Sequence, residues 1–292
     1  MSSSRRAALA SLLLVLGARV ARAEDPPAAI SAPDLLAKVA PAVVNVRYVL
    51  KWADGEMPYQ AVATVVDPSG LLVLGNDYLG GGAQKATDLK VTIAGDPKER
   101  EAVVVARDRV LNLAWLQVLG LEGPVAALDL SVGADPVVGQ DLQSVWRTGR
   151  GFDHAAATGR HYVVARVEKP RAMWQLGGDT PLVGAPVLDV AGRPVGVSAT
   201  QSGSTADDDE EGGREGTFLL PLDVVRKSLA EAKKRVPEAV EKAKSSPAPD
   251  AAPADKPADK PADKPADKPA DKPADKPADK PADGPAAPEQ PK

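Results

Sequence analysis

Hydrophobic and polar positions alternate with a period of two along much of residues 42–220, which predicts β-strands. The apolar segments are short, and glycine, proline and aspartate turns separate them. Six such segments within roughly eighty residues favour a small antiparallel barrel over a parallel sheet with crossover helices, and a second set follows. The predicted strands are 43–50, 60–67, 71–74, 89–93, 102–106 and 113–118 in the first set, then 141–146, 157–167, 185–189, 195–200 and 217–220.

Two helices with a period near 3.6 flank these strands. Residues 31–40 have a helix-start pattern with Ser31 as the N-cap, and Pro41 ends the helix. Residues 222–236 place their apolar side chains on one face, which predicts a C-terminal helix that docks by that face. Pro237 is expected to end or kink this helix.

The amino-terminal residues 1–23 have the order of a secretory signal peptide. Arg5 and Arg6 precede an apolar run at 7–17, and residues 21–23 fit an A-x-A cleavage site. The run is too short for a spanning helix, which needs about 20 residues, and no later stretch approaches that length. We therefore expect an exported protein, periplasmic or extracellular, without a transmembrane segment in the mature chain; the general and twin-arginine export routes both stay open.

Composition divides the mature chain into a region that can fold and a tail that cannot. Residues 24–244 are a mixed apolar sequence, in which we expect a first barrel at about 35–122 and a second at 135–221. The segment 119–140 is rich in glycine and proline and serves as the linker. Residues 245–292 repeat Pro-Ala-Asp-Lys seven times, so they cannot bury apolar area and are expected to form a disordered spacer.

Charge and composition exclude several classes of function. The net charge of −4 over 292 residues, with lysines and aspartates interleaved, does not favour a nucleic-acid partner. The chain has no cysteine, which excludes disulfides, a thiol nucleophile and a lipid-modified cysteine. With two histidines in total we expect neither a metal nor another cofactor. The acidic run at 207–211 lacks the spacing of an EF-hand loop and reads as a solvated charged loop.

Residues 179–198 contain an apolar strand, a tight turn at Ala191-Gly192 and a second apolar strand entering Gly196. This hairpin resembles the one that carries the nucleophile in trypsin-like serine proteases, above all in the HtrA/Deg family. The resemblance implies two six-stranded antiparallel β-barrels with a C-terminal helix. No segment of the sequence resembles the family's PDZ domain, so the family's assembly into oligomers is not implied and the oligomeric state is left open. Further similar segments, in the family's order, are 36–46, 67–74, 112–116 and 218–227.

The resemblance also locates the catalytic positions, and each of them is substituted. The histidine position falls at Asp77, and a carboxylate is a far weaker base than an imidazole at neutral pH. The aspartate position falls at Asn112, which carries no charge, and the serine position falls at Val183. One oxyanion donor would come from Pro181, which has no N–H. These substitutions predict a pseudoprotease without catalytic residues.

Three functions remain open at this stage. The preferred one is an exported, inactive trypsin-like domain that binds a peptide, a protein or another envelope component, with the tail as a spacer. The second is an active hydrolase that either uses an unrelated site or has its catalytic residues at positions other than those assigned above. The third is a structural envelope protein. His154 and His161, with Asp153, Ser202 and Ser204, are the residues from which an unrelated site would be built, and we expect both histidines at the surface.

The four tryptophans divide into two pairs by their sequence context. Trp115 and Trp146 lie within apolar strand patterns and are predicted to be in the core. Trp52 and Trp174 lie near polar or loop residues, where aromatic side chains can contribute to recognition.

Removal of residues 245–292 is expected to leave the thermal unfolding midpoint unchanged. These residues have almost no apolar side chain larger than alanine, so they cannot pack against the folded region. The measurement compares residues 24–244 with the mature chain by scanning calorimetry. A midpoint several degrees lower in the short form would show that the tail docks onto the fold.

Overall fold

A computed structural model describes most of the region that the sequence predicts to fold. The predicted signal peptide, the acidic run at 207–211 and the repeat tail lie outside the described residues, as do the side chain of Ser202 and the whole of Ser204. The described residues are 28–81, 84–96, 98–133, 135–169, 171–202 and 215–245.

The first barrel is closed and antiparallel throughout. Its strands follow the order β1-β2-β3-β6-β5-β4, and β1 pairs with both β2 and β4 to close the sheet. Each predicted strand of the first set overlaps one strand of this barrel, and the predicted strand 89–93 runs one residue past the end of β4. The strands are β1 Val43–Trp52, β2 Gly55–Asp67, β3 Leu71–Gly75, β4 Lys85–Thr92, β5 Arg100–Asp108 and β6 Leu113–Val118.

The second barrel is also closed, in the order β10-β11-β12-β9-β8-β7, with antiparallel pairs. The predicted hairpin is present as β10 and β11, joined by the turn that contains Gly192. The prediction of an all-β fold with two six-stranded antiparallel barrels is therefore confirmed. The strands are β7 Asp141–Arg147, β8 Ala156–Val167, β9 Met173–Gly178, β10 Pro186–Asp189, β11 Pro194–Ser202 and β12 Glu215–Pro221.

Strand β9 is the one strand of the described barrels that the periodicity did not predict. Met173 and Trp174 are adjacent in sequence and both buried, so the strand lacks the alternation that identifies its neighbours. Trp174 lies in this strand and not at an exposed recognition surface: its side chain is 7 % exposed, and the Arg166 guanidinium lies 5.4 Å from its ring centroid.

Strands β3 and β6 are buried on both faces, because each has a barrel interior on one side and the rest of the fold on the other. In β3, Leu72 and Leu74 fill the interior of the first barrel. Leu71 and Val73 face the opposite way, into a core that continues into the second barrel and both helices. Trp115 of β6 lies in that shared core and is fully buried, as predicted. One continuous core therefore joins the two barrels.

Helix α1, Ala32–Val39, begins and ends as predicted. The hydroxyl of Ser31 accepts a hydrogen bond from the Asp34 amide and caps the first turn. A short 3-10 turn, Ala40–Ala42, follows and leads directly into β1.

Helix α2, Leu222–Ser245, extends beyond the predicted end at residue 236. Pro237 lies inside it, although proline removes one backbone hydrogen bond of a helix. The helix continues because Val236 and Ala239, on either side of the proline, both pack against the shared core. No helix among the described residues is long and apolar enough to cross a membrane.

The segment between the barrels packs against both of them. The Leu128 amide donates to the Val65 carbonyl at 2.8 Å, and Leu128 and Leu130 are buried. The Arg226 side chain of α2 donates to the Leu130 carbonyl at 2.5 Å. This connection therefore helps to fix the barrels relative to each other.

Candidate functional site

Asp77 and Asn112, the positions that the resemblance assigns to the base and its orienting carboxylate, are in direct contact. Asp77 lies in a 3-10 turn, Asn76–Leu79, that follows β3, and Asn112 precedes β6. The Asn112 side-chain amide donates hydrogen bonds to an Asp77 carboxylate oxygen and, at 2.9 Å, to the Thr200 carbonyl of β11. Both barrels thus contribute to this contact.

A polar network on the first barrel holds Asn112 in place. Its backbone is in the left-handed region, with φ of 56°, which asparagine adopts more readily than most residues. Its carbonyl accepts from the Asn76 amide at 3.0 Å. Arg107 in turn donates to the Asn76 side chain at 2.6 Å, and burial lowers the pKa of this guanidinium from its ordinary value. The network fixes an uncharged amide where a triad needs a carboxylate.

Val183, at the nucleophile position, packs against the end of β3. A Cβ built on Gly75 would collide with a Val183 methyl group, so the valine side chain occupies the space beside that glycine. The residue is half-buried, on the loop between β9 and β10. At the position that the resemblance assigns to the nucleophile, the protein therefore has a hydrocarbon side chain without a hydroxyl.

Gly184 brings the same loop into backbone contact with the first barrel. Its φ is 85°, and a Cβ there would lie 2.8 Å from the Val62 carbonyl and 3.0 Å from the Leu74 Cα. The buried Thr64 hydroxyl donates to the Gly184 carbonyl at 2.8 Å. Only glycine combines this left-handed conformation with such a close approach.

Two backbone amides of the loop, those of Gly184 and Ala185, are bonded within the second barrel. Pro181 is buried and has no N–H to donate. The Gly184 amide donates to the Ser198 carbonyl at 2.9 Å, and the Ala185 amide donates to the Leu182 carbonyl at 3.0 Å. The amides that follow position 183 are therefore not presented to a substrate oxyanion.

His161 is buried, which corrects the expectation that both histidines lie at the surface. Its side chain points into the second barrel and is 3 % exposed. Its Nδ1 donates to the Asp179 carbonyl at 2.5 Å, and its Nε2 therefore accepts from the Ser144 hydroxyl at 2.7 Å. The sequence analysis missed this serine–histidine pair because the pattern around Ser144 predicts a core strand. Both side chains are buried, so a substrate cannot reach the pair.

His154 and His161 have different hydrogen-bond partners, and the serines of the alternative site, Ser202 and Ser204, lie outside the described side chains. Its Nδ1 accepts from the Asn45 side-chain amide at 2.6 Å. Asp153 is next to it and exposed. Within the described residues, no group of three or more histidine, aspartate or glutamate side chains is arranged to hold a metal ion.

Comparisons with known proteins leave the family open. No protein-family model matches the chain, and a search of curated proteins finds no match either. The two six-stranded antiparallel barrels are compatible with a trypsin-like fold. The assignment to the HtrA/Deg family therefore stays a proposal that rests on sequence segments and on the site geometry.

The variant Val183→Ser is expected to stay unlabelled by a fluorophosphonate probe. A serine there would have no imidazole base, and Pro181 would still lack the oxyanion donor. The matched control is Val183→Ala, which removes the same methyl groups without adding a hydroxyl. Labelling of the serine variant above the alanine level would show that a base lies within reach of this position.

The free energy of unfolding is expected to fall as the pH is lowered through about 6.5, the ordinary histidine value. Burial lowers the pKa of His161, because the charged imidazole would lose its water, although the Asp179 carbonyl partly opposes this effect. Above that pH neither folded nor unfolded His161 is charged. Below it the unfolded chain takes up a proton before the folded chain does, so stability is lost.

Urea unfolding at pH 5.5 and 7.5 tests this dependence. The His161→Gln variant keeps a hydrogen-bond donor and an acceptor. Its free energy of unfolding should not show the decrease between pH 7.5 and pH 5.5 that the native protein shows. The matched control is His154→Gln, at the chain's other histidine. An unchanged slope in His161→Gln would assign the dependence to other groups.

Proposed function

We propose that the protein is a catalytically inactive trypsin-like double barrel that binds an extended peptide segment beside the substituted catalytic positions. The loss of chemistry is supported by Val183, whose side chain occupies the nucleophile position, and by the uncharged Asn112 bonded to Asp77. Binding and transition-state stabilisation are separable, so a cleft can keep the first without the second.

The observation that carries the binding proposal is the one-sided pairing of β11. Its pairs with β10 end at Val197, whereas its pairs with β12 continue to Ser202. Ser198 directs its backbone groups toward the β10 side, where it bonds to Gly184 and Ala185. Along a strand, the backbone N–H and C=O groups of every second residue point to the same side. Thr200 and Ser202 therefore direct their backbone groups to the same side as Ser198 does. This is an edge to which a peptide strand can add.

The surface beside this edge supports the same proposal. The Thr200 carbonyl is taken by Asn112, but the Thr200 N–H remains on the edge. Leu182 is 41 % exposed, and Tyr78 is partly buried beside Gly75. Burial of such apolar area contributes about 25 cal/mol per Å². An extended peptide with apolar side chains therefore fits this surface better than a charged one.

The proposal places this activity in the cell envelope or outside the cell. The predicted signal peptide supports export, and the Pro-Ala-Asp-Lys repeats support a spacer role for the tail. An envelope protein with an unfolded segment is the class of partner that matches an extended, sequence-tolerant strand contact. Among the described residues, the Ser144–His161 hydrogen bond does not favour the alternative of an active hydrolase, because both side chains are buried.

The test measures binding of fluorescein-labelled peptides from a casein digest by fluorescence polarisation. Thr200→Pro removes the edge N–H, whereas the pairing with β12 runs through residues that face the other way. We expect Thr200→Pro to bind about three- to tenfold more weakly, which corresponds to the loss of one backbone hydrogen bond and some loss of contact with the peptide. Thr200→Ala keeps the N–H and should bind as the native protein does.

A second pair of variants tests the apolar contact. Leu182→Asp should weaken binding, since the charge would have to lose water on contact with an apolar peptide. The matched control is Val137→Asp, at a side chain that is 65 % exposed in the segment between the barrels. Equal binding by Thr200→Pro and Thr200→Ala, with Leu182→Asp also unchanged, would place the peptide site elsewhere.

A further inference from the structure

A cavity of about 380 Å³ is lined by residues other than those of the candidate functional site. Both barrels contribute to it: Asn45 comes from β1, the 92–96 segment follows β4, and Arg147 ends β7. Asp153 and His154 complete the lining. Its volume is within the range of small-molecule sites, which are roughly 300–1,000 Å³.

One wall of the cavity carries a buried hydrogen-bond acceptor without a partner. Asn45 is 3 % exposed, and its side-chain nitrogen donates to the Thr148 carbonyl at 2.9 Å and to His154. Its Oδ1 has no hydrogen-bond partner among the described residues. Buried polar atoms are nearly always paired, so this oxygen indicates a donor supplied by a bound molecule.

The same cavity carries a cation without a carboxylate partner. Arg147 donates to the carbonyls of Val43 at 2.6 Å, Ala40 at 2.8 Å and His154 at 3.2 Å. None of the ion pairs among the described residues includes it. The guanidinium stays charged at neutral pH and keeps further N–H groups, so it favours an anion in the cavity.

His154 adds a second donor. Because the Asn45 amide nitrogen can only donate, Nδ1 of His154 accepts, and the ring proton lies on Nε2. Asp153 and His154 both have a positive φ, of 54° and 52°, which is uncommon for residues other than glycine. Of the two acidic residues at the cavity, Asp96 is paired with Arg100, and Asp153 is exposed.

We propose that this cavity binds a small carboxylate that carries an adjacent amide N–H, the chemistry shared by N-acylated amino acids and the C-terminal residue of a peptide. The carboxylate accepts from Arg147 and from Nε2 of His154. The amide N–H donates to Oδ1 of Asn45. Ile93, which is buried, and Ala94 supply the apolar part of the lining.

The test titrates the full chain with N-acetylglycine and, in parallel, with N-acetylglycinamide, which lacks the carboxylate. The readouts are calorimetry and the imidazole ¹⁵N resonances. The His154 signals should shift and saturate with N-acetylglycine, while those of the buried His161 stay fixed. N-acetylglycinamide should bind at least about tenfold more weakly than N-acetylglycine, because it cannot make the charge-assisted hydrogen bonds of the carboxylate. Equal binding of the two compounds would overturn the proposal.

Two variants locate the site without altering its buried residues. Ala94→Trp fills the cavity from an exposed position and should abolish binding. Asp153→Asn removes a like charge, suits the left-handed backbone, and should tighten binding about two- to threefold at low salt. Unchanged affinity in a folded Ala94→Trp variant, or unshifted His154 signals in the native chain, would refute the site.

Two further probes separate the sources of the ligand and test its amide. N-acetyl-Ala-Ala-Gly binding more tightly than N-acetylglycine would identify a peptide C-terminus, and equal binding would identify a free acylated amino acid; both results support the proposal. Acetate should bind more weakly than N-acetylglycine, because it has no N–H for Asn45. Equal affinity for acetate would contradict the role of the orphan oxygen.

Discussion

The arrangement of the candidate site depends on the backbone contact that Gly184 makes with the first barrel. A hydrogen bond from the buried Thr64 fixes the Gly184 carbonyl at 2.8 Å, and the glycine lies too close to Val62 and Leu74 to carry a side chain. This contact places Val183 beside Gly75. Because buried backbone groups must be paired, the loop has little freedom to turn away from the first barrel.

The same contact determines what the site can do. It brings the apolar Val183 side chain against Gly75, two residues before Asp77, whose carboxylate accepts a hydrogen bond from Asn112. Val183 offers no nucleophile, and Pro181 offers no N–H for an oxyanion; among the described residues, the pairs of β11 with β10 end at Val197 on this side. Recognition of an extended chain needs backbone hydrogen bonds and apolar contact, and the proposed peptide site rests on the backbone groups of β11 and the exposed Leu182.

Periodicity predicted most of the fold because each barrel strand has a defined inner face. It failed at β9, where Met173 and Trp174 are buried side by side, and at the end of α2, where packing of Val236 and Ala239 outweighs the effect of Pro237. These are tertiary effects, in which contacts distant in sequence override the local pattern.

The candidate site was less accessible to sequence reasoning. The resemblance indicated Asp77, Asn112 and Val183 as one group, but no local pattern predicts the close packing of Val183 on Gly75. The burial of His161 was also missed, because its partner Ser144 lies on a different strand and the hydrogen bond exists only after the barrel closes. The Asn45 oxygen without a partner likewise becomes visible only in three dimensions.

The most direct measurement of the central claim exposes the purified native chain to unfolded casein and to a fluorophosphonate, and follows both by mass spectrometry. We expect an unchanged protein mass and intact casein over long incubation. A phosphonylated serine in the protein, or casein fragments that persist through repeated purification, would contradict the proposal that the site is catalytically inactive.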